Sequence, residues 1–339
     1  MKRTPSNVIP SSVVPSKRVP SKRIPSLDGL RAISISLVVA GHWVELHYHS
    51  DVAGAFANLG VRIFFIISGY LITTLLLKEY KKTATIRLRE FYVRRAYRIL
   101  PAAMVFMLPV FVIFRHELRW YHAVAAVLYL TNFDFSHPWF LGHLWSLSVE
   151  EQFYFLWPGV LKKWYQHRVG ILLGVVAFAP LYRIACHLLQ LHGRADETFP
   201  AVADILAIGC LAAILAPRLP KIKTAWSLAM ILPVALVPIY AGALRFHITA
   251  LLLLVLWPVM HLSIAGVLLH AVETPYWILN VRPVVWLGKD QLQPLFVAAV
   301  VCLRQSTQAL VFCVVCGGTR YRVLLFGGTA DVANAGEEG

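Results

Sequence analysis

Apolar residues recur along this chain in long runs, each closed by a cluster of charge. The first runs from Leu30 to Trp43, with Arg31 at one end and the polar Glu45–Asp51 stretch at the other. The second runs from Gly54 to Leu77 and stops at a basic cluster, and the third, Ile99 to Phe114, leads into Arg115–His122. A helix of about 20 apolar residues spans a bilayer core, so this pattern predicts membrane-spanning helices. Residues 123–133 are too short to cross without help and read as a partial or re-entrant element. Leu144–Leu161 follows, with Glu150 and Glu151 inside it and Lys162-Lys163 at its end. Further spans are expected near 170–190, 200–216, 225–243, 247–270 and 285–303, with a last apolar run at 309–316. The expected fold class is therefore all-α, a polytopic transmembrane bundle of about nine or ten spans. Residues 26–303 form its membrane domain, 1–25 a disordered basic tail and 304–339 an atypical C-terminal segment.

Composition agrees with that pattern. Of 339 residues, 58% are hydrophobic and only 14% charged, and the mean hydropathy is +0.65. A soluble domain carries about 25% charged residues, so a water-soluble globule and a disordered chain are both excluded. The net charge of +15 would suit a nucleic-acid binder if it were spread over a free-standing domain. Instead, seven Lys/Arg lie within residues 1–31 and eight within residues 78–98, and both clusters flank apolar segments. That is the positive-inside pattern. It predicts a multi-pass protein of the cell (inner or plasma) membrane with a cytoplasmic N-terminus, in contact with anionic lipid headgroups and not with nucleic acid. The repeat Pro15-Ser-Lys-Arg-Val-Pro20-Ser-Lys-Arg-Ile-Pro25 forbids a helix in the tail. No small-residue cleavage site follows it, so a cleavable signal is not expected. If 123–133 does not cross, Lys162, Lys163, Arg168, Arg218, Lys221 and Lys223 also fall on the cytoplasmic side; if it crosses, they all move outside, and the charge bias favours the first arrangement. The 5 cysteines are odd in number and form no disulfide framework, and the 13 histidines lack paired metal-ligand spacing, so no metal is expected.

Candidate chemistry lies with the ionisable residues inside spans, each of which costs several kcal/mol unless it is paired or faces water. Arg31 and His42 stand eleven positions apart. At 100° per residue they come within about 20° of one helix face, roughly 16 Å apart along the axis. A snorkelling arginine and a headgroup-level histidine would give the same spacing. Glu150 and Glu151 differ by about 100° in direction, so at least one must point to a polar interior and pair with His42, His143 or an arginine. A purely structural ion pair also satisfies that requirement. Arg95 and Arg98 share a face at i, i+3, beside Arg94, and two guanidiniums there suit phosphate oxygens of a lipid or of a phosphate-rich ligand. A transport path would carry the same residue types, although no repeat relates the two halves of the chain.

In order along the chain come Ser26-Leu-Asp-Gly-Leu-Arg31 with Gly41-His42, Gly60-Val-Arg-Ile-Phe-Phe65-Ile-Ile-Ser68-Gly69-Tyr70 and Phe91-Tyr-Val-Arg94-Arg95-Ala-Tyr-Arg98-Ile-Leu-Pro101. After these come His143-Leu-Trp145-Ser146-Leu-Ser-Val-Glu150-Glu151-Gln152-Phe153-Tyr154, and the weaker Glu273-Thr-Pro275 and Leu287-Gly288-Lys289. This series resembles the acyltransferase 3 family of integral-membrane acyltransferases over about residues 24–289. The resemblance implies transfer of an acyl group, usually acetyl, from cytoplasmic acyl-CoA to a hydroxyl of a cell-surface glycan, a lipid-linked sugar or a similar acceptor. Acyl-CoA would be the donor substrate, with no tightly bound cofactor. In that reading His42 is the base or acyl carrier, and Glu150 or Glu151 orients its imidazole and stabilises the protonated form. Arg31 would hold the donor's phosphate or thioester region and Arg95 and Arg98 its phosphates, while Tyr70, His143, Trp145 and Ser146 would shape the pocket.

The resemblance stops after Lys289, where Asp290-Gln-Leu-Gln-Pro294 replaces the family's next apolar span. A shifted reading frame or a truncation produces such an abrupt change. A non-catalytic relative, or a transporter of a polar substrate, is therefore the alternative to an active acyltransferase.

Overall fold

The computed structural model describes residues 25–189, 197–243, 252–274, 276–288, 308–317 and 320–329. The basic tail, residues 1–24, lies outside them. Helix α1 (Pro25–Tyr48) is uninterrupted, and a tight turn through His49, at φ 49°, returns the chain into α2 (Asp51–Thr83). Ser50 caps α2 by accepting the Ala53 N–H, and Ala84, left-handed at φ 54°, closes its far end on the Tyr80 carbonyl. At 33 residues, α2 is about 50 Å long against a hydrocarbon core of about 30 Å, so its Lys78–Lys82 end projects beyond the core. Helix α3 (Leu88–Ile113) follows, with Pro101 and Pro109 inside it.

The connection from α3 to α5 (Leu144–Lys163) holds only α4 (Trp120–Val127) and short 3-10 turns at Thr131–Phe133 and Trp139–Leu141. Eight residues of helix rise about 12 Å, less than half of the hydrocarbon core, so this element does not cross. The start of α5 is therefore at the same end of the bundle as the end of α3. Lys162 and Lys163 in turn share the end occupied by the Lys78–Arg98 cluster, here termed the basic end. The opposite end, holding His42, is termed the histidine end.

The remaining helices are α6 (Arg168–Leu188), α7 (Phe199–Leu215), α8 (Thr224–Ala243) and α9 (Trp257–Glu273), then the short α10 (Trp277–Asn280) and α11 (Arg282–Leu287). Seven of the described helices are long and apolar enough to cross a membrane: α1, α2, α3, α6, α7, α8 and α9. This is the all-α polytopic bundle that the apolar runs predict. Helix α5 matches them in length at 20 residues but carries Glu150, Glu151, Lys162 and Lys163. Most of the expected 285–303 span lies outside the described residues.

Helices α2 and α7 form the buried axis. Gly69 and Gly209 face each other's backbone: a Cβ on Gly69 would run into the Leu206 carbonyl, and one on Gly209 into that of Ile66. Small residues at such positions let two membrane helices touch backbone to backbone. At the basic end, Gly29 lies against Leu279 and Gly288 against the Asp28 carbonyl, which fastens α10 and α11 onto the start of α1. By contrast, α3 and α5 stand farther from α2 than α1 and α7 do. Long side chains bridge that gap, and most of the candidate chemistry lies there.

The last apolar run, 309–316, lies in a two-stranded hairpin. It forms strand β1 (Gln308–Gly317), paired antiparallel with β2 (Arg320–Thr329) from Gln308 opposite Thr329 to Gly317 opposite Arg320. The run is short, rich in Val311, Val314 and Val315, and followed by glycine, a combination that favours a hairpin over a helix.

Candidate active site

Because α1 is continuous from Pro25 to Tyr48, the eleven-residue spacing of Arg31 and His42 is a true helical spacing. The two side chains mark two levels of the bundle, roughly 16 Å apart.

At the histidine end, the His42 side chain is 47% exposed and its Nδ1 lies 3.2 Å from Glu45 Oε2. A carboxylate only accepts, so Nδ1 carries the hydrogen and Nε2 is left with its lone pair. His143, directly before α5, is half-buried, with its ring edge-on to Phe106 at 4.8 Å. Neither of its nitrogens has a hydrogen-bond partner among the described residues, and His42 and His137 are both near it. Ser146 Oγ donates to the His143 carbonyl at 3.1 Å, and Trp145 packs edge-on to Phe65 at 6.0 Å. These contacts tie the first turn of α5 together and against α2. The connection carrying α4 is held by His122 Nδ1, 2.6 Å from Asp134 Oδ2. Burial pushes the Asp134 carboxyl up, but hydrogen bonds from His122 and Ser136 outweigh it and hold the group below the usual carboxylate range.

At the deeper level the Glu150 carboxylate is buried. Its Oε1 accepts from Ser68 Oγ on α2 and from Tyr154 OH, one turn along α5, at 2.9 Å. The Arg95 guanidinium lies 3.6 Å over the Tyr154 ring, and the charges of Arg95 and Arg31 both act on Glu150. Arg31, 11% exposed, also lies 3.9 Å from Asp28. Glu151 points elsewhere, with a buried Oε1 that makes no hydrogen bond among the described residues. Arg98 is exposed, about 15 Å along α3 from its Leu88 start.

The structure thus brings His42 and His143 together, and separately Arg31, Arg95 and Glu150. The carboxylate on His42 is Glu45, not Glu150 or Glu151. Glu150 lies seven residues, about 10 Å, deeper along α5 than His143. Tyr70 is not beside His42 either: Gly41 packs against Ala57, which puts Tyr70 about 20 Å farther along α2, where it bonds Thr74 and feels Glu273. Sequence reasoning passed over three residues. Glu45 was signalled by its i, i+3 relation to His42, and Tyr154 by its i+4 relation to Glu150. Ser68 carried no such signal.

A multi-pass helical bundle with a histidine at one end, a buried carboxylate between arginines at the next level and arginines at the other end is laid out for group transfer in a membrane. The chain belongs to the acyltransferase 3 family: that family's acyltransferase domain matches residues 24–290. The match ends where the Leu287-Gly288-Lys289 motif gives way to unfamiliar sequence. Peptidoglycan O-acetyltransferase OatA of Listeria monocytogenes is 35% identical over 189 residues, which cover 50% of this chain and 29% of that protein. A Bacillus subtilis protein assigned as a peptidoglycan O-acetyltransferase, YrhL, is 40% identical over 150 residues, 39% of this chain and 23% of its own length. The chain therefore matches less than a third of the length of these relatives. No solved structure matches it.

Exchanging Glu45 for glutamine removes the group that fixes the His42 tautomer, since a side-chain amide can present either its oxygen or its nitrogen to Nδ1. Because the pair is half-exposed, the expected loss in turnover is about tenfold, smaller than for removing the imidazole. Initial rates of acyl transfer in membranes measure it.

Proposed function

We propose that this chain is a membrane O-acyltransferase that moves an acyl group, acetyl by analogy with its relatives, from acyl-CoA at the basic end to a hydroxyl at the histidine end. The acceptor class is a cell-envelope glycan or a lipid-linked sugar, and the basic end faces the cytoplasm. The observation that carries this reading is α1 itself, one unbroken helix that presents Arg31 and His42 on one face at two depths.

A sugar hydroxyl is too weak an acid to attack a thioester unaided. His42 Nε2 is the proton acceptor: it takes the hydroxyl proton as the oxygen attacks the thioester carbonyl. The C–O bond forms, the C–S bond breaks, and the proton returns to the departing thiolate. Arg98 and its basic neighbours attract the donor's phosphates. Arg31 and the Glu150 group line the route between the levels.

The test is transfer of label from acetyl-CoA to host glycans in membranes holding the full chain. Label appearing as a hydroxylamine-sensitive ester only when the chain is present supports the reading. Equal ester label with and without the chain overturns it.

A further inference from the structure

The two arginines of Arg95-x-x-Arg98 share a helical face by spacing, yet the structure treats them differently. Arg98 is exposed, whereas Arg95 is half-buried and turned over the Tyr154 ring at 3.6 Å, with an Nε that has no hydrogen-bond partner among the described residues. The same tyrosine donates its hydroxyl to Glu150 Oε1 at 2.9 Å. Ser68 donates to that same oxygen, and the charge of Arg95 acts on both Glu150 and Glu151. One aromatic side chain therefore joins a cation on α3 to an anion on α5, in the part of the bundle where these helices stand apart.

We propose that Arg95 and Arg98 do different work: Arg95 is a positioning residue that acts through the Tyr154 ring to hold the charge of Glu150 in place, while Arg98 meets the phosphates of the donor. This rests on the acyl-transfer reading for its kinetic part only. A buried carboxylate needs both donors and a balancing charge, and here Ser68 and Tyr154 supply the donors and Arg95, with Arg31, the charge. Arginine suits the position because its planar, weakly hydrated guanidinium stacks on an aromatic face, which a lysine ammonium does less well. A guanidinium committed to that ring is poorly placed to follow a ligand at the membrane surface. Arg98 stands one turn farther along α3 from its Leu88 end and is exposed.

The experiment is a double-substitution cycle on the full chain purified in detergent, with Arg95→Gln, Glu150→Gln and both together, beside Arg98→Gln, Tyr154→Phe and Arg95→Lys. Thermal unfolding and initial rates against acetyl-CoA concentration are measured for each. The Arg95→Gln and Glu150→Gln losses in unfolding midpoint are expected to be non-additive, the double variant being no less stable than the weaker single one. In the rates, Arg95→Gln should lower kcat by about tenfold with little change in KM, whereas Arg98→Gln should act mainly on KM. Tyr154→Phe keeps the ring and should retain more activity than Arg95→Gln, and Arg95→Lys should restore only part of the loss. Additive midpoint shifts, together with an Arg95→Gln effect on KM equal to that of Arg98→Gln, would overturn the division of labour. If the unsubstituted chain transfers nothing, the acyl-transfer reading fails by itself, and the unfolding cycle still decides whether Arg95 and Glu150 are coupled.

Discussion

His42→Ala is expected to abolish acyl transfer, reducing the rate by 10²–10⁴-fold, about what a positioned general base contributes, while the protein still inserts and folds. The histidine is half-exposed and, among the described residues, its hydrogen bond is to Glu45, three residues along its own helix, so that bond joins no two helices. An exposed pair of that kind contributes little to stability, at most about 1 kcal/mol. Alanine at position 42 therefore separates chemistry from folding. The other deeply placed groups do not allow this, because Glu150 and Arg95 each hold a second helix in place. The measurement is ester label per unit of membrane-inserted protein, with the unfolding midpoint recorded alongside. Near-normal turnover in the variant would remove His42 from the reaction. A lost midpoint would show that its role is structural. His42→Gln provides a second variant that keeps a polar side chain of similar reach but no base, and it should be as inactive as alanine.

What could be read in advance follows the range of the interaction. The Arg31–His42 relation depends on a single helix, and apolar sequence from Leu30 to Trp43 left no place to break it, so the spacing passes directly into the structure. For 123–133, length and the charge bias of the flanking basic residues pointed to a partial element, and the eight-residue α4 with short 3-10 turns is one. The partner of His42 was equally local, yet Glu45 was grouped with the polar stretch outside the first span. A helix that continues to Tyr48 carries it onto the His42 face. Glu150 is a different case. Its high cost in an apolar run could be seen in the sequence, but its donor Ser68 lies 82 positions away, and the contact is set by how α5 stands against α2. Nothing periodic in either helix encodes that register. The C-terminal run is less legible, because apolar content alone does not distinguish a short buried helix from a strand; its valines favour the strand.

Asp204→Asn is expected to be strongly destabilising, costing about 3–5 kcal/mol, as for removal of one partner from a buried ion pair. Asp204 on α7 and Arg183 on α6 are each 2% exposed and meet in a two-point pair, Nη1 to Oδ1 at 3.1 Å and Nη2 to Oδ2 at 3.0 Å. Arg183 also donates to the Ala201 carbonyl. His261 on α9 lies 3.5 Å from the same carboxylate, and Arg62 on α2 reaches its Nε2 at 2.8 Å. That donation makes Nε2 the acceptor and places the imidazole hydrogen on Nδ1, toward Asp204. Trp257 sits beneath both guanidiniums, 4.4 Å from Arg62 and 5.4 Å from Arg183. Three helices therefore meet on one carboxylate, with α2 joined to them through His261, and asparagine would leave a guanidinium inside an apolar bundle without its counter-charge. The pair is far costlier to break than to replace, so Arg183→Met combined with Asp204→Leu should recover most of the stability that Asp204→Asn loses. Thermal unfolding of the three proteins in one detergent checks both statements. If Asp204→Asn unfolds at the midpoint of the unsubstituted chain, the network does not hold α6, α7 and α9 together. If the double variant is less stable than Asp204→Asn, the network contributes more than its two charges, through the hydrogen bonds that it organises on His261 and Arg62.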